Sequence, residues 1–155
     1  MSYEGYEKDL YHIYESEVLG ETMFGLIATL TLSAERARKW QRLAALETQT
    51  MQRYLDFVAD KPALRDKPKP GKGLAYVYGL LFAVLPWRTA MKMLSQGTDA
   101  FMEVFKRLAE HAAPDEAEFF DYVVAHEEAI KAFAELELDG EYDLSLQPVS
   151  ELLNS

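Results

Sequence analysis

The chain has 155 residues, no cysteine and a formal net charge of −10. The length suits a single domain, residues 1–155, and the 49% hydrophobic and 27% charged content is usual for a soluble globular protein. The lack of cysteine excludes disulfides and thiolate metal sites. The first residues, Met1-Ser2-Tyr3-Glu4, lack the basic and apolar regions of a signal peptide, so a cytoplasmic protein is predicted.

The negative charge is concentrated in the last part of the chain. Residues 115–155 carry a net charge of −11, whereas the preceding residues carry a net charge of +1. An acidic surface of this size repels phosphate backbones, so nucleic-acid binding is not expected. We interpret it as a solvated face that favours solubility, in preference to a partner-binding surface.

Residues 4–31 predict a first helix, because apolar residues recur at intervals of three and four. Glu17 lies on the apolar stripe of this helix, together with Leu10, Ile13, Phe24 and Ile27 or Ala28. Gly20 and Gly25 each cost about 1 kcal/mol relative to alanine inside a helix. They indicate close approach by a neighbouring group, unless they are merely tolerated.

A second helix is predicted over residues 34–59, with Ser33 as its N-cap. Glu47 lies on its apolar stripe, with Trp40, Leu43, Thr50 and Tyr54. A chain reversal near residues 32–33 would place Glu17 and Glu47 at the same height on antiparallel helices. If residues 4–60 formed one helix, the two carboxylates would instead lie about 45 Å apart, at roughly 1.5 Å per residue. Helix lengths in small domains favour the reversal, and two facing buried carboxylates share a proton or hold a metal.

Residues 60–73 predict a loop, because three prolines and two glycines oppose a helix there. Its length suits the crossover between the two halves of a four-helix bundle. Five cations in this loop are explained by a solvated linker, or by contact with anionic lipid or an acidic partner: Lys61, Arg65, Lys67, Lys69 and Lys72.

The third predicted helix is interrupted. Its first part, residues 74–85, is the most apolar stretch, but it is shorter than the about 20 residues that span a bilayer. We interpret it as a buried core helix in preference to an interfacial segment. Pro86 should kink or end this helix, which resumes over residues 90–111.

The fourth helix is predicted from Pro114 to Leu138, where Asp139-Gly140 ends it. The tail, residues 141–155, is expected to be irregular or docked on the bundle by three apolar side chains: Leu144, Val149 and Leu152.

The second hairpin offers further acidic residues. A turn near Ala113 places Glu127 opposite Asp99, with Glu103 one turn away and His126 on the neighbouring edge of the helix. Oxygen-rich clusters with one imidazole suit iron or manganese. The candidate metal ligands are therefore Glu17, Glu47, Glu127, Asp99, Glu103 and His126, although His126 alone is as well explained as a hydrogen-bonded core histidine.

Three segments, residues 14–21, 46–50 and 126–133, resemble the ferritin-like di-iron carboxylate superfamily, in particular its rubrerythrin-like branch. The resemblance implies a glutamate on the first helix and Glu-x-x-His on the second, repeated on the third and fourth helices. Carried over, Glu17, Glu47 and Glu127 are ligands. Thr50 stands where the superfamily has histidine, and no histidine follows Glu127 or Glu128 at the third position. The site would then bind one metal, use His126 in an unusual way, or have lost its metal.

The sequence thus predicts an all-α fold, a ferritin-like up-down-down-up four-helix bundle with a long crossover and a broken third helix. The implied function is a metal-binding protein with one or two iron or manganese ions, and the implied activity is that of an oxidoreductase acting on dioxygen, peroxide or another small molecule. The alternative is a metal-free bundle that serves as a binding module, with residues 74–87 as a surface that could contact a membrane. A homodimer is expected in either case.

Overall fold

A computed structural model describes residues 3–155, which form α-helices joined by loops and contain no strand. The predicted all-α class is confirmed. Met1 and Ser2, which begin the segment where no signal peptide is predicted, lie outside the described residues. None of the helices in residues 3–155 has both the length and the apolar character needed to cross a membrane. The helices are α1 (Tyr6–Leu30), α2 (Ala34–Phe57), α3 (Pro62–Arg65), α4 (Gly73–Val84), α5 (Trp87–Glu110), α6 (Ala117–Leu138) and α7 (Gln147–Leu153).

The chain reverses between α1 and α2, as predicted. Thr31 is extended, and the Ser33 hydroxyl caps α2 by accepting a 3.3 Å hydrogen bond from the Arg36 backbone N–H. The two helices then run antiparallel, so that Phe24 stacks on Trp40 with ring centroids 5.6 Å apart. The alternative of one continuous helix is therefore wrong.

The third predicted helix is broken at Pro86, which has extended backbone angles (φ −54°, ψ 143°) between α4 and α5. The two parts pack differently: α4 packs mainly on α1, and α5 packs mainly on α6. This packing is consistent with a helical bundle. The finer prediction, a ferritin-like topology, stays a prediction.

Two predictions for the irregular segments need correction. The crossover contains the short helix α3, because Pro62 occupies its first turn, where a missing N–H is harmless. The tail is partly helical: α7 buries Val149 completely, and Leu152 is half-buried. Leu144 does not dock, since half of its surface remains exposed.

The prediction that residues 74–85 form a buried core helix was wrong. Only Ala75, Gly79 and Phe82 of α4 are buried. A Cβ atom on Gly79 would lie 2.9 Å from Leu26 Cδ2, so this small-residue face packs closely on α1. The remaining faces are uncovered and expose Leu74, Tyr76, Val77, Tyr78, Leu80, Leu81 and Val84.

The core consists of two apolar clusters separated by a polar layer. One cluster is built around Phe24, Trp40 and Phe133, and the other around Leu10, Tyr54 and Phe120. On α1, α2 and α6 the polar residues Glu17, Glu47 and His126 lie between the contributions to these clusters.

Candidate metal centre

Glu17, Glu47 and His126 meet in this polar layer. His126 Nε2 lies 2.9 Å from Glu47 Oε2 and 3.4 Å from Glu17 Oε2. All three side chains are buried, and one candidate ligand atom from each lies within 4.8 Å of the others. The predicted meeting of Glu17 and Glu47 is confirmed. Sequence reasoning did not place His126 between them.

The cluster brings acidic groups together without enough protein cations to neutralise them. Burial raises the pKa of Glu17 well above its usual range, and the neighbouring Glu47 carboxylate raises it further. Burial opposes a charged His126, but the carboxylates of Glu47 and Glu127 outweigh this effect and raise the pKa of His126. The site therefore retains protons more strongly than free side chains do, as expected for carboxylates that lack a cation.

One carboxylate oxygen gives a test of whether a cation fits. Glu17 Oε2 is buried and accepts no hydrogen bond, although its partner oxygen is 3.4 Å from the Ser16 hydroxyl. A buried carboxylate oxygen without a partner is costly. Because Glu17 Oε2 faces His126 Nε2 across the cluster, an ion bound by the three residues would satisfy it. The donor set of two carboxylates and one imidazole fits such an ion.

Gly20 allows the Glu47 carboxylate to occupy its position. A Cβ atom on Gly20 would lie 2.4 Å from Glu47 Oε1. The close approach inferred from Gly20 is thus confirmed, whereas Gly25 has no neighbour within 4 Å of its Cβ position.

Glu127 is buried beside the cluster. Its Oε1 lies 3.9 Å from His126 Nδ1, so the carboxylate faces the opposite edge of the imidazole from Glu17 and Glu47. Burial raises the pKa of Glu127 to about 8, while His126 lowers it and Glu47 raises it to a smaller extent. Glu127 therefore belongs to the surroundings of the three-residue cluster, and its role as a ligand stays a prediction.

Asp99 and Glu103 lie outside the cluster. The Asp99 side chain is 60% exposed and pairs with Lys131, and Glu103 is also exposed. The predicted pairing of Glu127 with Asp99 was wrong, because a turn near Ala113 fixes the height of a residue along each helix but not the rotation of the helix about its axis. The buried stripe of α5 runs through Thr98 and Met102, each one position before these acids.

Thr50, at the position where the sequence resemblance implied a histidine, forms hydrogen bonds. Its hydroxyl lies 3.0 Å from both the Leu46 carbonyl oxygen and the Tyr122 hydroxyl. Gln49 Nε2 also donates to the Tyr122 hydroxyl, at 2.9 Å. On α2, Gln49 and Thr50 therefore hold the Tyr122 hydroxyl by hydrogen bonds. The imidazole of the candidate metal centre comes from α6 instead, as His126. No sequence pattern singled out Tyr122 or Gln49.

A pocket of about 410 Å³ reaches the cluster from the surface. Ser16, Glu47 and Glu127 line its buried end, and the remaining lining is mostly apolar. Sequence reasoning missed this pocket because its lining comes from five separate helices: α1, α2, α4, α5 and α6.

The chain matches no protein-family model, no curated protein and no solved structure. The class of protein is thus defined by the fold and the site alone: an all-helical protein with a buried Glu-Glu-His cluster that could hold a metal ion.

Proposed function

We propose that the protein binds one divalent transition-metal ion through Glu17, Glu47 and His126. The supporting observation is the convergence of three buried ligand atoms within 4.8 Å, one of them a carboxylate oxygen without a hydrogen bond. Iron or manganese suits this donor set. One ion is proposed rather than two, because Asp99 and Glu103 face solvent and add no ligands.

We further propose that the protein is a ferritin-like oxidoreductase that uses dioxygen or peroxide. Bound iron would supply redox chemistry, and three protein ligands would leave coordination positions open. Glu127 lies between the imidazole and the pocket, where a carboxyl with a pKa of about 8 can hold or release a proton near neutral pH. The two apolar clusters exclude water from the remaining sides of the site.

Metal analysis tests the proposal. Protein purified without chelator should contain about one iron or manganese per chain, and adding Fe(II) or Mn(II) to stripped protein should raise its melting temperature. Glu17→Gln should abolish binding while keeping the shape of the side chain. Glu128→Gln, on the exposed face of α6, is the matched control and should bind normally. A metal content of zero, with no thermal shift on addition, would rule the proposal out.

The alternative is a metal-free helical bundle that acts as a binding module. The uncovered apolar faces of α4 favour it, because seven large apolar side chains of one short helix are exposed. Absence of metal in the experiment above, together with a partner bound through α4, would support this function instead.

A further inference from the structure

We propose that the pocket beside the cluster binds a neutral, mostly apolar small molecule whose single polar group points towards Glu47 and Glu127. The proposal rests on the proposed function, since it names the substrate class of the same site. At about 410 Å³ the pocket is within the range of small-molecule sites, about 300–1,000 Å³.

The distribution of polar groups in the pocket determines the expected ligand. The side walls are mostly apolar, with one buried side chain from each of α1, α4, α5 and α6 as examples: Phe24, Phe82, Leu94 and Ile130. Carboxylates of Glu47 and Glu127 stand at the buried end. An alcohol or phenol hydroxyl can donate a hydrogen bond to a carboxylate or accept one from a protonated carboxyl. A ligand carboxylate has no proton to donate and would lose its hydration beside these acidic side chains. A neutral hydroxylated molecule is therefore favoured over a fatty acid.

The pocket opens between α4 and α5. Leu74 and Tyr78 on α4, and Met93 and Gly97 on α5, line the pocket and are exposed at the surface. A Cβ atom on Gly97 would have no neighbour within 4 Å, so a larger side chain there can be accommodated and would narrow the opening. Gln96, the preceding residue, is exposed and does not line the pocket.

Calorimetric titration with 1-octanol and with octanoate tests this inference. With stripped protein we expect saturable binding of one octanol per chain, with octanoate at least tenfold weaker. Gly97→Leu should weaken octanol binding at least tenfold, while the control Gln96→Leu should not change it, and both variants should melt like the parent chain. Equal affinity for the two probes, no octanol binding, or unchanged binding in Gly97→Leu would overturn the proposal.

The titration is carried out on stripped and on metal-loaded protein, so that two failures can be told apart. Octanol binding by a chain that takes up no metal would overturn the proposed function and leave the pocket assignment in place. Metal uptake without octanol binding would overturn the pocket assignment alone.

The charge around α4 indicates what kind of surface its exposed apolar faces contact. Residues 61–92 carry a net charge of +6, whereas the rest of the chain carries −16. The same segment contains the exposed apolar faces of α4. We infer that α4 lies in the interface of an anionic lipid bilayer, with the exposed Lys69 and Lys72 among the headgroups. A neutral apolar ligand would then reach the pocket opening from the bilayer.

Vesicle flotation tests the surface. The protein should float with vesicles of phosphatidylcholine and phosphatidylglycerol, and at least fivefold less with phosphatidylcholine alone or at high salt. Val77→Glu should abolish flotation, because it places a negative charge on the exposed apolar face of α4. Val77 does not line the pocket, so the substitution leaves the pocket unchanged. Leu32→Glu, a fully exposed leucine between α1 and α2, is the control and should float normally. Absence of flotation would overturn the inference. Dimerisation in lipid-free solution that Val77→Glu abolishes would also overturn it, because α4 would then be an interface between two copies of the chain.

Discussion

Gly20 and Gly25 lie five positions apart on α1, but only Gly20 touches the candidate metal centre. A Cβ atom at Gly20 would lie 2.4 Å from Glu47 Oε1, and at Gly25 it would meet nothing within 4 Å. Gly20→Ala should therefore push the Glu47 carboxylate out of line with Glu17 and His126. We expect metal affinity to fall at least tenfold, measured by titration of stripped protein with Fe(II) or Mn(II).

Gly25→Ala is the control for this prediction. It should leave metal affinity unchanged and raise the free energy of unfolding by about 0.5–1 kcal/mol, because alanine favours the helix. Equal metal affinity in Gly20→Ala and Gly25→Ala would show that the Glu47 position is unimportant for binding.

Individual residues also show how far the sequence could predict the site. Glu17 and Glu47 were found because each places a carboxylate on an apolar stripe, and helical periodicity alone reveals that conflict. His126 was not distinguishable from an ordinary core histidine, because its position between two carboxylates depends on how α6 is rotated against α1 and α2. Asp99 was selected in error for the same reason, since periodicity gives no rotation between helices.

At the scale of helices, a buried ion pair that no sequence pattern indicated holds four parts of the chain together. Lys39 on α2 pairs with Glu137 on α6, and both side chains are almost fully buried. Trp87 Nε1 at the start of α5 donates to Glu137 Oε2 at 2.8 Å, and the Ser145 hydroxyl in the tail donates to Oε1 at 2.6 Å. Glu137 thus connects α2, α5, α6 and the tail.

Glu137→Gln should destabilise the protein by about 3–5 kcal/mol, because it removes the buried counter-charge of Lys39 and leaves only the exposed Glu35 carboxylate, 3.6 Å away. Urea denaturation measures the loss. Glu135→Gln, two positions earlier and exposed, should change stability by less than about 0.5 kcal/mol. If the two variants unfold at the same urea concentration, the buried pair contributes nothing to the stability of the fold.

Helix boundaries were predictable where a residue imposes them chemically. Ser33 caps α2, Pro86 separates α4 from α5, and Gly140, at φ 81°, follows the end of α6. The exposure of α4 was not predictable from its apolar composition. Hydropathy reports the composition of a helix surface, whereas exposure depends on which neighbouring elements cover that surface. In this fold α4 packs mainly on α1, so its other faces remain uncovered.

For the whole molecule, the polar layer between two apolar clusters should make stability depend on pH and metal together. In the metal-free protein the folded-state pKa of Glu127 is raised from 4.5 to about 8, and that of Glu17 is also raised. The folded state then holds protons that the unfolded chain releases, so stability falls as pH rises through this window. The raised pKa of His126 acts in the same direction, because its stabilisation is lost as pH rises through the folded-state value.

The melting temperature of chelator-treated protein should therefore decrease from about pH 5 to about pH 8. Bound metal should reverse this slope, because its ligands must lose their protons and affinity increases with pH. Glu127→Gln should flatten the slope of the metal-free protein, whereas Glu128→Gln, which is exposed, should keep it. Scanning calorimetry across this range, with and without Mn(II), measures all four cases. A metal-free melting temperature that is constant or increases with pH would contradict the picture of carboxylates confined in a dry layer without a cation.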